Sequence, residues 1–600
     1  MVLCLALVPL VSTGSFTLGR YTTAILLMVA ALGLNLALGY AGQLVLGHVV
    51  IMAVAAYSAA MISVFAELAF VPSLLAGVVI GTIFGTLMMS VGIRVGGWYL
   101  ALVTLFSVLV LPHAAQLFPE WSGGEFGVTG MASPTLFGYP LGSVGMYLVV
   151  VAGFAAVWFA SANLINSAWG LRFRALRDAP RAAESVGIDL VSTRLYVYIV
   201  SSVPPALAGT LLAFSERFVH YDSFNIGLTL LLLTGVVLGG AGTKWGTIAG
   251  MLPLLVLSFW VGPFSPYNAI GLGVGLLVGA LIFTNGLVPA LLPLMPSAGR
   301  KDGIPTTDAN PAPLAASMAE AAADPAARDE AVVELTKVEK RFGGNHVLKG
   351  LNLSVRRGSL LGVVGPNGSG KSTLLNTLSG FVKPDSGTIK LKGMDIAGWP
   401  IHRRAAMGLG RTFQVPQLID ELGPLENIAV GLVARERATY LAPFFQTPGV
   451  RKANAERHQA SFATFAELRL PNDLLDLTAA KIPLGLKRIV EVGRAIVSRP
   501  DVLLLDEPTA GLDDSERAEF GQLLRYLQGA GMTVVVVEHN VPFVLEYCDE
   551  LVLLESGEIT VHADMSKPLP ARLRSYLSYA PEHHPGADQA SLTQEAQDAS

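Results

Sequence analysis

Cysteine is nearly missing from this 600-residue chain, which holds only Cys4 and Cys548. Two residues so far apart suggest neither a disulfide framework nor a cysteine zinc site. Charge is scarce too, at 14% of residues against 52% hydrophobic, and the formal net charge of -4 offers no footing for nucleic acid. The scarcity is uneven. Up to about Leu294 the chain is Leu, Val, Ala, Gly and Phe with charges many residues apart, whereas beyond Arg300 it carries the charge mixture of a water-soluble protein. The mean hydropathy of +0.54 therefore averages two materials. So long a chain exceeds one core, and about two or three domains are expected.

Also lacking in the first half are amphipathic helices that would cover a large soluble core. Runs such as Tyr21–Leu38, Leu74–Ile93, Met146–Ala160 and Ala269–Leu292 are apolar on every face. A hydrocarbon core of roughly 30 Å takes about 20 such residues as a helix, and only helices or closed barrels span it. Met1–Val11 resembles the apolar core of a signal peptide but has no basic flank, and is read as a short first span.

Charge then orients the spans. Leu171–Arg194 holds Arg172, Arg174, Arg177, Arg181 and Arg194, the densest basic loop of this half, and the positive-inside rule places it in the cytoplasm. Counting away from it makes Phe118–Pro140, with Glu120 and Glu125 and no Lys or Arg, an outer loop, and puts Arg94 and Lys244 inside. The count gives about ten spans with both termini inside. The short stretches near 227–262 can also be read as re-entrant.

Leu38-Gly39-Tyr40-Ala41-Gly42 and Leu238-Gly239-Gly240-Ala241-Gly242 share a pattern, each ending a span. Two readings fit: discontinuous helices lining a substrate route, or small residues that let helices pack closely. Ionisable residues inside the spans are nearly absent, with His48 and His113 near span ends. A proton-coupled carrier would display buried carboxylates, so energy is expected from elsewhere in the chain. Ser297–Asp329 and the tail Pro581–Ser600 are polar or small with no apolar periodicity, and read as tethers.

The second half carries legible chemistry. Ser359–Val364 is a short apolar strand followed by Gly365-Pro366-Asn367-Gly368-Ser369-Gly370-Lys371-Ser372-Thr373, the P-loop pattern opening a helix. Backbone N–H groups of such a loop curl around phosphates at a helix N-terminus. Lys371 is expected to reach the β/γ oxygens and Ser372 to hold Mg²⁺. Val502-Leu503-Leu504-Leu505-Asp506-Glu507-Pro508 reads as a buried parallel strand ending in two carboxylates, Asp506 suited to Mg²⁺ and Glu507 to polarising the attacking water. A third strand, Thr533–Val537, brings His539 to the carboxyl edge of the same sheet, where ligands of open α/β sheets bind.

From Val333 to about Tyr579 the sequence resembles an ABC-transporter ATPase. That resemblance implies that Phe342 stacks on adenine, that Gln414 senses γ-phosphate and Mg²⁺, that Ala510-Gly511-Leu512-Asp513 is the D-loop, and that His539 is the switch histidine. It makes ATP and Mg²⁺ the expected cofactors, with Glu507, His539 and Gln414 catalytic. Phe342, Gly365, Asn367, Gly368, Ser369, Gly370, Lys371, Ser372, Thr373 and Asp506 would bind nucleotide, and Ser372, Gln414 and Asp506 the metal. One element departs: where the family signature normally has Leu-Ser-Gly-Gly-Gln, this chain has Ile482-Pro483-Leu484-Gly485-Leu486. Pro483 has neither a hydroxyl nor a backbone N–H, which points to an asymmetric pair completed by a partner ATPase.

The first half resembles the permeases of branched-chain amino-acid uptake systems at Ala31–Gln43 with Gly47-His48, at Tyr99–Leu105, and at Leu238–Gly246. Leu176-Arg177-Asp178 through Arg181–Ile188 is similar to the coupling helix of importer permeases, ended by Gly187; a solvated basic loop needed only for topology is the alternative. The expected architecture is an α-helical polytopic membrane domain of about ten spans (1–296), a flexible linker (297–330), an α/β P-loop ABC ATPase domain (331–580) and a disordered tail (581–600). The resemblance implies ATP-driven uptake of branched-chain amino acids at the plasma membrane, with the ATPase domain cytoplasmic. Its partners would be a second permease, a second ATPase and an external binding protein. Importers of urea or short-chain amides share this architecture. Exporters, whose helices extend well into the cytoplasm, fit less.

Overall fold

The computed structural model describes residues 15–95, 97–261, 330–436 and 439–579, with short stretches at 273–274 and 286–288. The spans expected at Met1–Val11 and Ala269–Leu292, the linker and the tail lie wholly or almost wholly outside them. The described residues form two compact units. The first holds the apolar helices together with Leu418–Phe462; the second holds Ser185–Gly187 and the rest of the C-terminal half.

The first unit is built of helices α1 (Ser15–Leu34), α2 (His48–Phe65), α3 (Phe70–Val95), α4 (Gly97–Leu117), α5 (Ser143–Ile165), α6 (Ala168–Asp178), α7 (Pro180–Ser185), α8 (Leu190–Glu216), α9 (Ile226–Gly239) and α10 (Gly246–Val261). Among the described residues, seven segments, from Thr17–Tyr40 to Tyr221–Gly239, are long and apolar enough to cross a bilayer; α10 is a shorter apolar helix. A chain with no water to satisfy its backbone must close every hydrogen bond within the helix, and these sequences offer nothing else to bond. Proline is tolerated where a small neighbour accommodates it. Pro204 and Pro205 of α8 lie against Gly33 of α1, where a Cβ would come within 2.7 Å of Pro205 Cδ. α1 and α8 are buried along most of their length, while α3 and α4 expose much of theirs.

Two sets of contacts define the ends of this bundle. At one end Gly39, Gly242 and Arg177 meet. At the other, Val128 pairs with Val219 across a β-bridge and Gln116 donates to the Tyr221 hydroxyl. The loop expected outside and the basic loop expected inside are thus at opposite ends.

The second unit holds two sheets. Strands β1 (Ala331–Phe342), β2 (Asn345–Arg356), β4 (Ser386–Leu391) and β5 (Met394–Asp395) form an antiparallel sheet in the order β2-β1-β4-β5. The larger sheet runs β10-β9-β3-β8-β7-β6, where β3 is Leu360–Val364, β6 Leu409–Arg411, β7 Val502–Asp506, β8 Thr533–Val537, β9 Glu550–Glu555 and β10 Glu558–Asp564. Only β10 is antiparallel to its neighbour. β3, β7 and β8 are buried at every residue, which explains their unbroken Leu/Val runs: a parallel sheet is covered on both faces. Their carboxyl ends lie side by side and deliver the phosphate loop, the two carboxylates and His539 to one edge.

Candidate nucleotide site

The loop after β3 turns directly into the helix Lys371–Ser379, capped by Gly370 at φ 106°. A Cβ at Gly370 would sit 3.1 Å from Val347 O, and one at Gly365 only 2.1 Å from Leu554 O, so the loop is pressed against its sheet and only glycine fits. Pro366, Asn367, Gly368 and Ser372 are exposed on its crest, and Thr373 is half-buried. Lys371 is buried, its Nζ donating to Gly365 O at 2.8 Å and Pro366 O at 3.0 Å. Burial pulls its pKa down, against the opposing pull of Glu507 and Asp506. Ser369 Oγ is buried with no partner, an acceptor and donor left open inside the loop, as a site for phosphate oxygens would have.

Asp506 ends β7, buried, with Arg411 Nη2 at 3.2 Å. Burial raises its pKa and Arg411 opposes this. Glu507 follows at φ 45°, a left-handed conformation unusual for a side-chain-bearing residue, held by its N–H donating to Val537 O at 2.9 Å. Such positions recur where function needs a particular side-chain direction. Gln414 Nε2 donates to Glu507 Oε2 at 2.8 Å and His539 Nε2 lies 2.9 Å from Oε1. Two of the three residues singled out as catalytic in the sequence, Gln414 and His539, therefore converge on the carboxylate of the third, Glu507. The hydrogen bond from His539 holds that carboxyl below the usual range, with burial opposing.

Phe342 is set apart. It ends β1 opposite Asn345, about half exposed, with Lys340 Nζ 5.3 Å from its ring centre. The strand after its turn is the one that meets Gly370, through Val347 and Leu348. Pro483 caps the helix Leu484–Ile496, accepting from Lys487 N at 2.9 Å, and Gly485 lies so close to Glu516 that a Cβ would come within 2.4 Å of Oε1. Asp513 of the expected D-loop closes a capping box with Glu516.

Three residues of the site went unnoticed in the sequence. Arg411 also donates from Nη1 to Ser379 Oγ at 2.5 Å and lies over the rings of Phe381 and Phe413. Arg488 donates to Ala510 O at 2.6 Å, tying the helix after Pro483 to the loop after Glu507. Glu538, buried, accepts from Thr509 N at 2.8 Å and fixes the same loop. An arginine inside an otherwise apolar strand was the available signal for the first.

No group of three or more His, Cys, Asp or Glu that would hold a metal by itself occurs among the described residues. Ser372, Gln414 and Asp506 supply hard oxygen donors, and the donor set fits Mg²⁺, which keeps several waters and is held chiefly by substrate phosphates.

The glycine stretches of the first unit meet as well. After α1 the chain makes a π-helical turn, Asn35–Tyr40. Asn35 Oδ1 accepts from Gly242 N at 2.8 Å and Nδ2 donates to Thr243 O at 3.1 Å. A Cβ on Gly39 would lie 2.2 Å from Gly242 N. The backbones thus pack in contact, as the small-residue reading expects, at a point where both helices break. Arg177 of α6 donates from Nη1 to Gly39 O at 2.5 Å and pairs with Asp178 and, at 2.7 Å, Glu421. Beyond it α7 ends at Gly187, φ 97°, with Ile188 N donating to Ala183 O.

Residues 16–284 match the family described as branched-chain amino acid transport system, permease component, and residues 348–510 match ABC transporter. The chain is 33% identical over 227 residues to the high-affinity branched-chain amino acid transport ATP-binding protein BraF of Pseudomonas aeruginosa, covering 38% of this chain and 89% of that protein. It is 31% identical over 243 residues to LivG of Escherichia coli, of the same description, covering 40% and 95%. Among solved structures it is similar to a nucleotide-free ATP-binding cassette from an ABC transporter, at 29% identity over 42% of this chain and 96% of that one, TM-score 0.36.

Proposed function

The chain belongs to the branched-chain amino acid ABC transport family, and on that premise we propose that it imports branched-chain amino acids as a permease and ATPase joined in one polypeptide. It is a membrane protein that binds ATP and couples its hydrolysis to transport. The observation that carries the catalytic reading is the convergence of Gln414 and His539 on the Glu507 carboxylate in the field of Lys371.

In this reading the loop Gly365–Thr373 binds the phosphates through its N–H groups, Ser369 Oγ and Lys371 Nζ, which leaves its own carbonyls for the ligand. Glu507 takes the proton of the attacking water as the γ-phosphoryl group passes to it, and ADP leaves. His539 holds the Glu507 carboxylate in place, and Gln414, which engages the other oxygen at rest, releases it before the step. Ser372, Gln414 and Asp506 would hold Mg²⁺, which when bound would supply charge neutralisation at the phosphates. Phe342 would support the adenine. Arg177 would carry movement between the broken helices at Gly39 and Gly242 and the segment that holds Glu421. Partner subunits are implied by the family. The expected set is a second permease, a second ATPase and an external binding protein, with the ATPase domain cytoplasmic. Pro483 supports an asymmetric ATPase pair, and Pro483→Ser should then raise turnover; unchanged turnover counts against asymmetry.

Labelled leucine uptake into cells expressing the chain with its neighbouring subunits tests the reading. Uptake that stops with Glu507→Gln supports it. Uptake of urea or short-chain amides in place of leucine would transfer the assignment to those substrates, and efflux would reverse its direction.

A further inference from the structure

Within the first unit, one soluble-looking segment is fastened to the end of a membrane span. α5 has 23 residues, about 35 Å at 1.5 Å each, against a hydrocarbon core of about 30 Å, so its last turn emerges at the bilayer surface. Phe159 on that helix is 55% exposed. One turn further, Asn163 Nδ2 donates to Phe444 O at 2.8 Å and its carbonyl accepts from Gln446 Nε2 at 2.9 Å. Asn454 Nδ2 donates to Asn166 O at 3.3 Å, and Tyr196 of α8 donates its hydroxyl to Tyr440 O at 2.6 Å. The first two of these bonds fasten Phe444 and Gln446 to Asn163, which lies about 6 Å along the helix axis from the exposed Phe159.

Its outward side chains are apolar: Tyr440 is 52% exposed, Leu441 72% and Phe445 77%. No charged residue occurs from Thr439 to Val450, and Arg451 and Lys452, both exposed, follow immediately. An aromatic and aliphatic tip with a basic flank is the composition that settles at the boundary of headgroups and acyl chains and meets anionic lipid phosphates. An exposed aromatic and aliphatic cluster of this kind would be costly to leave in water.

We propose that residues 440–446 form an interfacial anchor, which inserts Leu441 and Phe445 into the headgroup and acyl boundary of the bilayer. The occupant of this surface is lipid, and the anchor ties the segment Leu418–Phe462 to the membrane independently of α6.

The test uses the full chain in nanodiscs containing anionic phosphatidylglycerol. With Cys4 replaced by Ser and Cys548 buried, Leu441→Cys and Phe445→Cys are labelled separately with an environment-sensitive fluorophore, and Asp514→Cys serves as an aqueous reference. Labelled chains must bind ATP as the parent does. At both anchor positions, quenching by lipids spin-labelled near the headgroup should exceed quenching by iodide, with the order reversed at the reference. Stronger quenching by iodide at the anchor positions would overturn the proposal. Protection from both quenchers would overturn it too, because protein then covers the patch.

Discussion

Arg177→Ala is the sharpest probe of how the broken helices communicate. The guanidinium is 17% exposed and reaches three oxygen-bearing partners: Gly39 O, the Asp178 carboxylate and Glu421 Oε2. The bond to Gly39 O is charge-assisted and worth about 1.5–3 kcal/mol. The Glu421 carboxylate is 58% exposed, so that pair contributes at most about 1 kcal/mol. The Gly39 bond, the one broken when α6 parts from the Gly39–Gly242 contact, biases that equilibrium by about 2 kcal/mol, on the order of thirtyfold. Because Arg177 touches none of the nucleotide-site residues described above, hydrolysis should persist. In proteoliposomes containing the partner subunits, leucine moved per ATP hydrolysed should fall at least roughly tenfold, a conservative share of that bias. Arg177→Lys, which keeps the charge and loses the fork, should fall between. Unchanged coupling would refute the reasoning, as would uptake and hydrolysis declining together in step with thermal stability.

Other outcomes follow from the same geometry. In the folded chain Glu507 titrates below its ordinary 4.5 because His539 bonds it, so its charge adds stability above about pH 4.5 that is lost as pH falls through the depressed value. His539→Ala should move that acid loss to higher pH in unfolding scans. Arg411→Met leaves Asp506 buried and uncompensated, a loss of about 3–5 kcal/mol that calorimetry would read as a lowered melting temperature. Gly39→Ala pushes a methyl onto Gly242 N, where 2.2 Å is available; the overpacking, at about 1–3 kcal/mol or more, should abolish leucine uptake, and an active variant would show that the contact opens freely.

The candidate site residues were legible because strand, turn and helix are contiguous there: apolar runs followed by glycines, acids or histidine name their own position at the sheet edge. Arg411, Arg488 and Glu538 were not, since each acts through a backbone or side chain far away in sequence, and a single charge within a segment does not announce its partner. The paired glycine stretches signalled that something unusual happens at both places. That they touch each other, through Asn35, only the fold could show. Nothing in the composition of Leu418–Phe462, charged and partly amphipathic, marks it as packing with apolar helices, because its contacts are carbonyls, amides and a few aromatic rings.

The double hold on Glu507 has a consequence for economy in the cell. Under the proposed mechanism a base whose two oxygens are both engaged, one by an amide and one by an imidazole, has little basicity to offer a water molecule. Fuel is then spent only when the amide of Gln414, which extends from the segment leading into Leu418, is drawn aside. A transporter idling without cargo would conserve its ATP by the simplest means available, keeping the reactive carboxylate busy.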